Sequence, residues 1–322
     1  MSETMICAVN GAYHTDISPE QAQELRAQPN SVFWLDINDP LDHDYARLVE
    51  WFNTHPLTIE DMRHGGGRPK IELHEDHYFI IFYAVSRGTG DDRFDTQPIY
   101  ILAGHNFFVT VHTGALVQVE ETMRRWRDPN IPPTDRVGSL LYALLDTVVD
   151  DYFPLLDGVA DEAEQIEDQI FAQFERSSIQ TIFELKRDLL ALRRVIAPER
   201  DVINSLMRRE IPLFRGKDMM YLQDVYDHIL RITDGIDSYR DLLSSALDSY
   251  LSVEASRQNQ VLKVLTVTSI ILMTNALIAG IYGMNFEFMP ELHWQYGYAY
   301  ALGLMVVCSV GLILFFKRLK WI

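Results

Sequence analysis

Tyr282-Gly283-Met284-Asn285-Phe286-Glu287-Phe288-Met289-Pro290-Glu291-Leu292 decides how this chain is organised, because it joins two long uncharged segments. Neither Val264–Phe286 nor His293–Phe316 contains an Asp, Glu, Lys or Arg. Each is about the ~20 residues that a helix needs to cross a bilayer core. The piece between them reads as a tight turn at one membrane face. Gly283 supplies backbone freedom, Asn285 hydrogen bonding, and Pro290 the end of a helix.

Upstream of this hairpin the chain changes character. The 322 residues carry a net charge of −18. Beyond Ser256 there are five Lys and Arg against two Glu, which leaves 23 basic and 44 acidic residues before it, a net of −21. Such a field repels nucleic acid and anionic lipid and concentrates cations. The two cysteines, Cys7 and Cys308, sit too far apart in character to pair, one near the N-terminus and one inside the second apolar run. The absence of a disulfide framework fits a reducing cytosol, and no cleaved signal is expected at the N-terminus.

In chain order, residues 5–9 and 31–37 read as strands. Ser18-Pro19-Glu20 opens a short helix, and Asp39-Pro40 gives the same start signal for a helix through Leu48 and Phe52. Pro69–Val85 and Pro98–His112 are rich in Ile, Phe, Tyr and Val and read as strands, with turns at Gly65–Gly67 and Gly88–Asp92. These elements predict an α+β domain over residues 1–130. From residue 131 to 218 the periodicity predicts a helical hairpin. Leu140, Leu141, Leu144, Leu145, Val148 and Val149 mark its first apolar face, followed by an acidic solvated face over Asp161–Asp168. Ile182, Leu185, Leu189, Leu192, Val195 and Ile196 mark the second, with Pro198 as a kink and Pro212 and Gly216 as its end. No proline occurs between Met219 and Met289, so one helix is expected over residues 219–282, its membrane part being about 262–282. A loop over 283–295, a second span over 296–316 and a basic tail over 317–322 complete the chain.

Read in sevens, the long helix does not present a dry seam. One phase holds Asp227, Asp234, Asp241, Asp248, Ala255, Leu262, Ser269, Ala276 and Gly283. The phase three residues earlier holds Asp224, Arg231, Ser238, Ser245, Ser252, Asn259, Thr266, Met273 and Gly280. As a solvated face of a helix packed through Leu230, Leu243, Leu247 and Leu251, this pattern works up to about Ser256. Within a bilayer, Asn259, Thr266, Ser269 and Asn275 would meet lipid unless they face other helices or water. Two accounts stand, a water-lined pore and small-residue packing between helices. Two spans cannot enclose a pore, so more than two copies must surround an axis, and closed cyclic symmetry is the natural arrangement. Asn275 lies roughly 100° around the helix from Ala276 and is expected to bond a neighbouring helix.

The Gly283-Met284-Asn285 triplet, its continuation through Leu292 and its place between two terminal spans resemble the signature of the CorA family of divalent-cation channels. Looser similarity runs from about His55 onward, through Arg68-Pro69-Lys70, Val149-Asp150-Asp151-Tyr152-Phe153 and Asp224-Val225-Tyr226-Asp227-His228. The resemblance implies a funnel-shaped homopentamer that passes Mg²⁺, with Co²⁺ or Ni²⁺ also possible. It implies an ion-selecting ring at Gly283, Met284 and Asn285, and a pore lined by Asn259, Leu262, Thr266, Ser269, Met273, Ala276 and Gly280. It also implies regulatory Mg²⁺ held between protomers by Glu60, Asp61, Asp146 and Asp224. This chain departs from the family at Met273-Thr274-Asn275-Ala276, where a proline and a pore threonine are common. Neutral amides suit a cation that sheds its water reluctantly, since they can hydrogen-bond the coordinated waters. Glu287 and Glu291 would raise the cation concentration at the mouth.

Arg257, Lys263, Lys317, Arg318 and Lys320 flank the two spans, and the connecting loop has no Lys or Arg. The positive-inside rule then places both termini and the acidic domain in the cytosol. Trp294, Tyr296, Tyr298 and Tyr300 suit the outer interface and Trp321 the inner one. No phosphate-binding Gly-rich loop, Cys/His metal cluster or nucleophile elbow occurs, so an enzyme is not expected. A zinc-carrying relative with the same layout and a non-conducting membrane-anchored ion sensor remain as rival readings.

Overall fold

Apolar, β-branched and aromatic runs form strands β1 (Ser2–Val9), β2 (Ala12–Thr15), β3 (Ser31–Asn38), β4 (Lys70–Leu73), β5 (His77–Arg87), β6 (Phe94–Gly104) and β7 (Phe107–His112) in the computed structural model. The structure describes residues 2–88, 93–128, 136–172, 177–208, 213–214, 218–285, 287 and 289–321. Most of the expected turn Gly88–Asp92, together with Pro212, Gly216, Phe286 and Phe288, lies outside the described residues. Helices are α1 (Pro19–Arg26), α2 (Asp42–Phe52), α3 (Pro56–His64), α4 (Val117–Trp126), α5 (Val137–Asp150), α6 (Tyr152–Ala172), α7 (Ser177–Arg208), α8 (Asp218–Tyr282) and α9 (Gly297–Arg318). The chain divides into two compact units, Met1–Ala246 and Leu247–Ile322, and the division falls inside α8.

In the first unit the strands form one sheet in the order β2-β1-β3-β7-β6-β5-β4. Among the described residues, only the central β3–β7 pair is parallel. Central strands are buried on both faces, which explains their near-continuous apolar sequence. On one face Cys7, Phe33, Leu35, Phe79 and Val109 pack with Leu48 and Phe52 of α2 and Met62 of α3. On the other, Trp34 meets Phe108 and Trp126, with ring centroids 5.1 and 5.7 Å away. Its indole Nε1 donates to Thr110 Oγ1 at 3.0 Å.

Some expectations are met in finer detail, and others need correction. Pro69–Val85 is two strands, β4 and β5, joined by a hairpin in which His74 N–H donates to the His77 carbonyl. Pro98–His112 is likewise the greater part of β6 and then β7. Asp39 is no helix cap: it takes φ 54°, and its Oδ1 accepts from Gly114 N–H at 2.9 Å. Helix α2 starts at Asp42, where Asp44 accepts from the Leu41 N–H at 2.8 Å. Among the described residues, the stretch expected to be a helical hairpin holds three helices, with Asp151 separating α5 from α6. Pro198 lies inside α7, which continues to Arg208. Up to Tyr250, Leu222, Val225, Ile229, Ile232, Ile236, Leu243, Ala246 and Tyr250 of α8 are buried in an alternating three- and four-residue seam, with Thr233 buried beside it. Of the leucines expected to pack it, only Leu243 is fully buried, and Leu251 is 53% exposed. The acidic phase Asp227, Asp234, Asp241 and Asp248 is solvent-exposed.

Where β6 carries Pro98, the sheet shows how a proline is tolerated. Pro98 pairs with Tyr83, and the Tyr83 N–H points away from β6, to Glu199 Oε1 at 2.8 Å. This makes Tyr83–Pro98 a pair without ladder hydrogen bonds, and the proline lacks a donor where β7 has already ended. Glu199 of α7 is fully buried, and Tyr152 of α6 donates to the Tyr83 carbonyl. The phenolic oxygen also lies 3.0 Å from Glu199 Oε2. One phenolic hydrogen serves one acceptor, so this second contact is a hydrogen bond when Glu199 is protonated and donates. Burial holds the Glu199 carboxyl well above the usual range, consistent with that neutral form.

A neutral side chain of the same shape should therefore substitute for Glu199. Glu199→Gln is expected to keep the thermal midpoint within about 2 °C, whereas Glu199→Ala, which strands the Tyr83 N–H, lowers it by at least about 5 °C. Thermal unfolding of the purified full chain checks this, and equal losses from both variants would count against a neutral Glu199.

Candidate metal centre and ion pathway

Helical spacing builds the first site. Asp146 and Asp150 are four residues apart on α5, and Asp224 and His228 are four apart on α8, so each pair shares one helix face. Contacts advance together along both helices. Tyr142 meets Tyr221 at 5.1 Å between ring centroids, and Asp150 meets His228 about two turns further on along both helices. Ligand atoms of Asp146, Asp150 and His228 all lie within 4.8 Å of one another. His228 Nδ1 is 3.2 Å from Asp150 Oδ1, yet this buried atom is aligned in no hydrogen bond. Asp224 stands beside the group, its Oδ1 3.9 Å from His228 Nε2, with a side chain 62% exposed.

The electrostatics are those of a site short of positive charge. Burial raises the Asp146 carboxyl above its ordinary range, and the negative charges of Asp150 and Asp224 raise it further, partly offset by His228 and by a hydrogen bond from Tyr142. The Tyr142 hydroxyl is pushed up to about 12 by burial and by Asp146 and Asp224, so it remains a donor. Two carboxylates, an imidazole nitrogen without a hydrogen bond and a third acid at the edge form a donor set for a divalent cation.

The structure brings together Asp146 and Asp224 of the sequence-predicted ligands. It adds Asp150 and His228, whose four-residue spacing from the first two was the available signal. Glu60 and Asp61 are not part of this group within one chain. Glu60 is exposed on α3, and Asp61 accepts from Lys70 Nζ at 2.8 Å.

The second unit contains the membrane-length helices. The most apolar 18-residue windows of α8 and α9 have mean hydropathies of 2.0 and 2.4. Asn275 Nδ2 donates to Ser309 Oγ at 3.0 Å, which meets the expectation that Asn275 bonds a neighbouring helix. At ~100° per residue with Asn275 as origin, the packed positions Lys263, Val267, Ile270, Ile271, Thr274, Ile278 and Tyr282 fall between about 220° and 340°. Asn259, Leu262, Thr266, Ser269, Met273, Ala276 and Gly280 fall between about 100° and 200°, and all seven are exposed in the single chain. Leu262 is 57% and Met273 71% exposed. Among the described residues of this unit, α9 is the helix available to cover the packed arc.

At the end of α8 the Gly283 N–H donates to the Ala279 carbonyl at 2.9 Å. Gly283 does not adopt positive φ, so the backbone freedom expected of it is not used. A Cβ there would lie 3.2 Å from the Ala279 oxygen. Gly283, Met284, Asn285, Glu287 and Glu291 are all exposed. A short 3₁₀ turn over Pro290–His293 then leads into α9. There a Cβ on Gly297 would collide with the Glu291 carbonyl oxygen, 2.1 Å away, so only glycine allows this approach. Trp294 packs edge-on against Tyr296 and tilted against Tyr300, and all three rings are about half-exposed, as an interfacial belt requires.

Residues 29–318 match the family model described as CorA-like Mg²⁺ transporter protein. The chain is 36% identical over 293 residues to the cobalt/magnesium transport protein CorA of Thermotoga maritima, covering 90% of this chain and 83% of that one. It is 34% identical to the putative metal ion transporter YfjQ of Bacillus subtilis, covering 90% and 89% of the two chains. The solved structure of the CorA magnesium transporter from Methanocaldococcus jannaschii superposes with a TM-score of 0.83 at 27% identity, covering 100% of this chain and 99% of that one.

Because a bound cation needs Asp146 ionised and the site raises that carboxyl, protons should compete with metal at a higher pH than at an ordinary Asp. Mg²⁺ titrated calorimetrically into the purified full chain is expected to bind at least about threefold more weakly at pH ~5.5 than at ~7.5. Asp146→Asn should weaken binding and flatten that dependence, and an unchanged pH profile in this variant would remove Asp146 from the site.

Proposed function

The chain belongs to the CorA-like Mg²⁺ transporter family, and from this we propose that it is a divalent-cation channel of the cytoplasmic membrane. It carries Mg²⁺ down its electrochemical gradient and is closed by the same ion bound on the inner side. Five copies surround an axis, each giving α8 to the inner ring and α9 to the outer one. The observation that carries this reading is the placement of six polar, small or flexible residues of α8, together with Leu262. They lie exposed on an arc outside the one that packs, in a segment too apolar for water on every side. Thr266 and Ser269 would be costly against lipid, and a shared aqueous axis relieves that cost.

At the outer end, rings of Gly283, Met284 and Asn285 meet a hydrated ion with carbonyl and amide oxygens. Glu287 and Glu291 concentrate cations outside that ring. The turn bears no basic residue, and Lys317, Arg318 and Lys320 follow α9, so both termini and the acidic unit face the cytosol.

On the cytosolic side, Asp146, Asp150, Asp224 and His228 of one protomer meet Glu60 or Asp61 of the next. Their charges repel until a divalent ion bridges them. Bound Mg²⁺ stabilises the assembled, closed arrangement, and its loss lets the protomers separate, which is inhibition by mass action. His228 favours Co²⁺ or Ni²⁺ as further ligands of this site, since imidazole suits those ions better than Mg²⁺.

Liposomes loaded with a Mg²⁺ indicator test the reading. Asn285→Ala is expected to reduce uptake at least about tenfold, and uptake indifferent to Asn285 favours a non-conducting anchor. Asp224→Ala should raise the internal Mg²⁺ needed for half-inhibition by about threefold or more, and unchanged inhibition would exclude Asp224 from the regulatory site.

A further inference from the structure

Asn275 is the side chain of the membrane hairpin that neither the ion path nor the apolar packing explains. It is half-buried on α8, and its amide makes a two-way contact with Ser309 of α9: Nδ2 donates to Oγ at 3.0 Å, and the serine hydroxyl lies 3.3 Å from Oδ1. The neighbouring hydroxyls behave differently. Thr268 donates to the Val264 carbonyl and Thr274 to the Ile270 carbonyl, each four residues back on the same helix. Those bonds survive any rotation of α8 about its axis. The Asn275 amide looks across to α9, so its satisfaction depends on the rotational angle.

We propose that Asn275 and Ser309 form an interhelical clamp that fixes the rotation of α8 against α9 and thereby selects which face of α8 meets the passing ion. This rests on the channel reading above. The apolar contacts around the clamp, Val267 and Ile278 on α8, are non-directional, and in lipid no hydrophobic effect drives one such contact over another. Turning α8 by one residue position, ~100°, would carry the Asn275 amide off Ser309 and toward hydrocarbon, where an unpaired polar group is expensive. With the clamp made, Met273 lies ~160° away from Asn275 and Ala276 ~100° away, which leaves both outside the packed arc. Asn275 is thus a positioning residue: it acts on the ion path through the helix angle without touching the ion.

Thiol accessibility reads the angle directly. Met273→Cys is introduced with Cys308→Ala into the full chain. Cys7 can remain, because it is fully buried and burial pushes its thiol up to about 11, so it stays protonated and unreactive. In liposomes a water-soluble methanethiosulfonate should label the Met273→Cys parent. Adding Asn275→Leu or Ser309→Ala should slow labelling at least about fivefold, and combining them should cost no more than the larger single effect. The exchanged pair, Asn275→Ser with Ser309→Asn, should return labelling to within about twofold of the parent. If Asn275→Leu does not assemble, Ser309→Ala, which removes one hydroxyl, carries the test. Unchanged labelling in both variants, multiplying effects, or a parent that is never labelled would overturn the clamp. Labelling that follows the clamp in a chain showing no Mg²⁺ uptake would sink the transport reading instead and leave the clamp standing.

Discussion

The hairpin depends on one constraint: a polar group inside the bilayer must be satisfied by protein or water. Helix α8 meets it in three ways. Thr268 and Thr274 bond back to their own helix, Asn275 bonds across to Ser309, and Thr266 and Ser269 sit on an exposed arc. The first two are complete within a single chain. The third is not, and the proposed shared axis exists to complete it. A membrane hydrogen bond such as Asn275–Ser309 contributes only about 0.6–2 kcal/mol. A modest term of this size suits a contact that must orient a helix without freezing it.

The first unit manages polar burial by the opposite route, full satisfaction in a dry interior. Glu199, Tyr152 and the Tyr83 backbone form a closed set at the point where β5 runs on past its partner strand and β6 carries a proline. Three elements that are distant in sequence are tied there without a net charge. The Asp146–Asp150–His228 group, between α5 and α8, is by contrast left incomplete. Its carboxylates crowd each other, and the His228 Nδ1 has no hydrogen bond. Incomplete satisfaction of this kind makes a site responsive to a cation, because the ion supplies what the fold withholds.

How much was legible beforehand differs by element. The leucine faces of α5 and α7 were readable because Leu144, Leu145, Leu185 and Leu189 recur at helical spacing and are fully buried. The start of α2 was misread because Asp39 offered a helix-cap sequence while its carboxylate was committed to the Gly114 N–H, a partner 75 positions away. Of the leucines expected to pack α8, only Leu243 lies fully in the buried seam, and Leu222, Val225, Ile229, Ile232 and Ile236 fill much of the rest. Several apolar phases coexist on that helix, and the choice between them belongs to its neighbours. Asp150 and His228 stood in quoted motifs, but nothing local says that two i,i+4 pairs 78 residues apart face each other.

By itself the sequence determined the length and polarity of the two spans, the acidic character of what precedes them, and the residue types on each face of α8. Those properties follow from local composition and the fixed 3.6-residue period. Only the tertiary structure decided that β3 pairs parallel with β7, that Glu199 seals the Tyr83 backbone, and that Asp146 and Asp150 meet His228. It also decided that Asn275 meets Ser309, and so which face of α8 is left open. Each of these joins groups far apart along the chain, and their pairing is set by how whole elements pack.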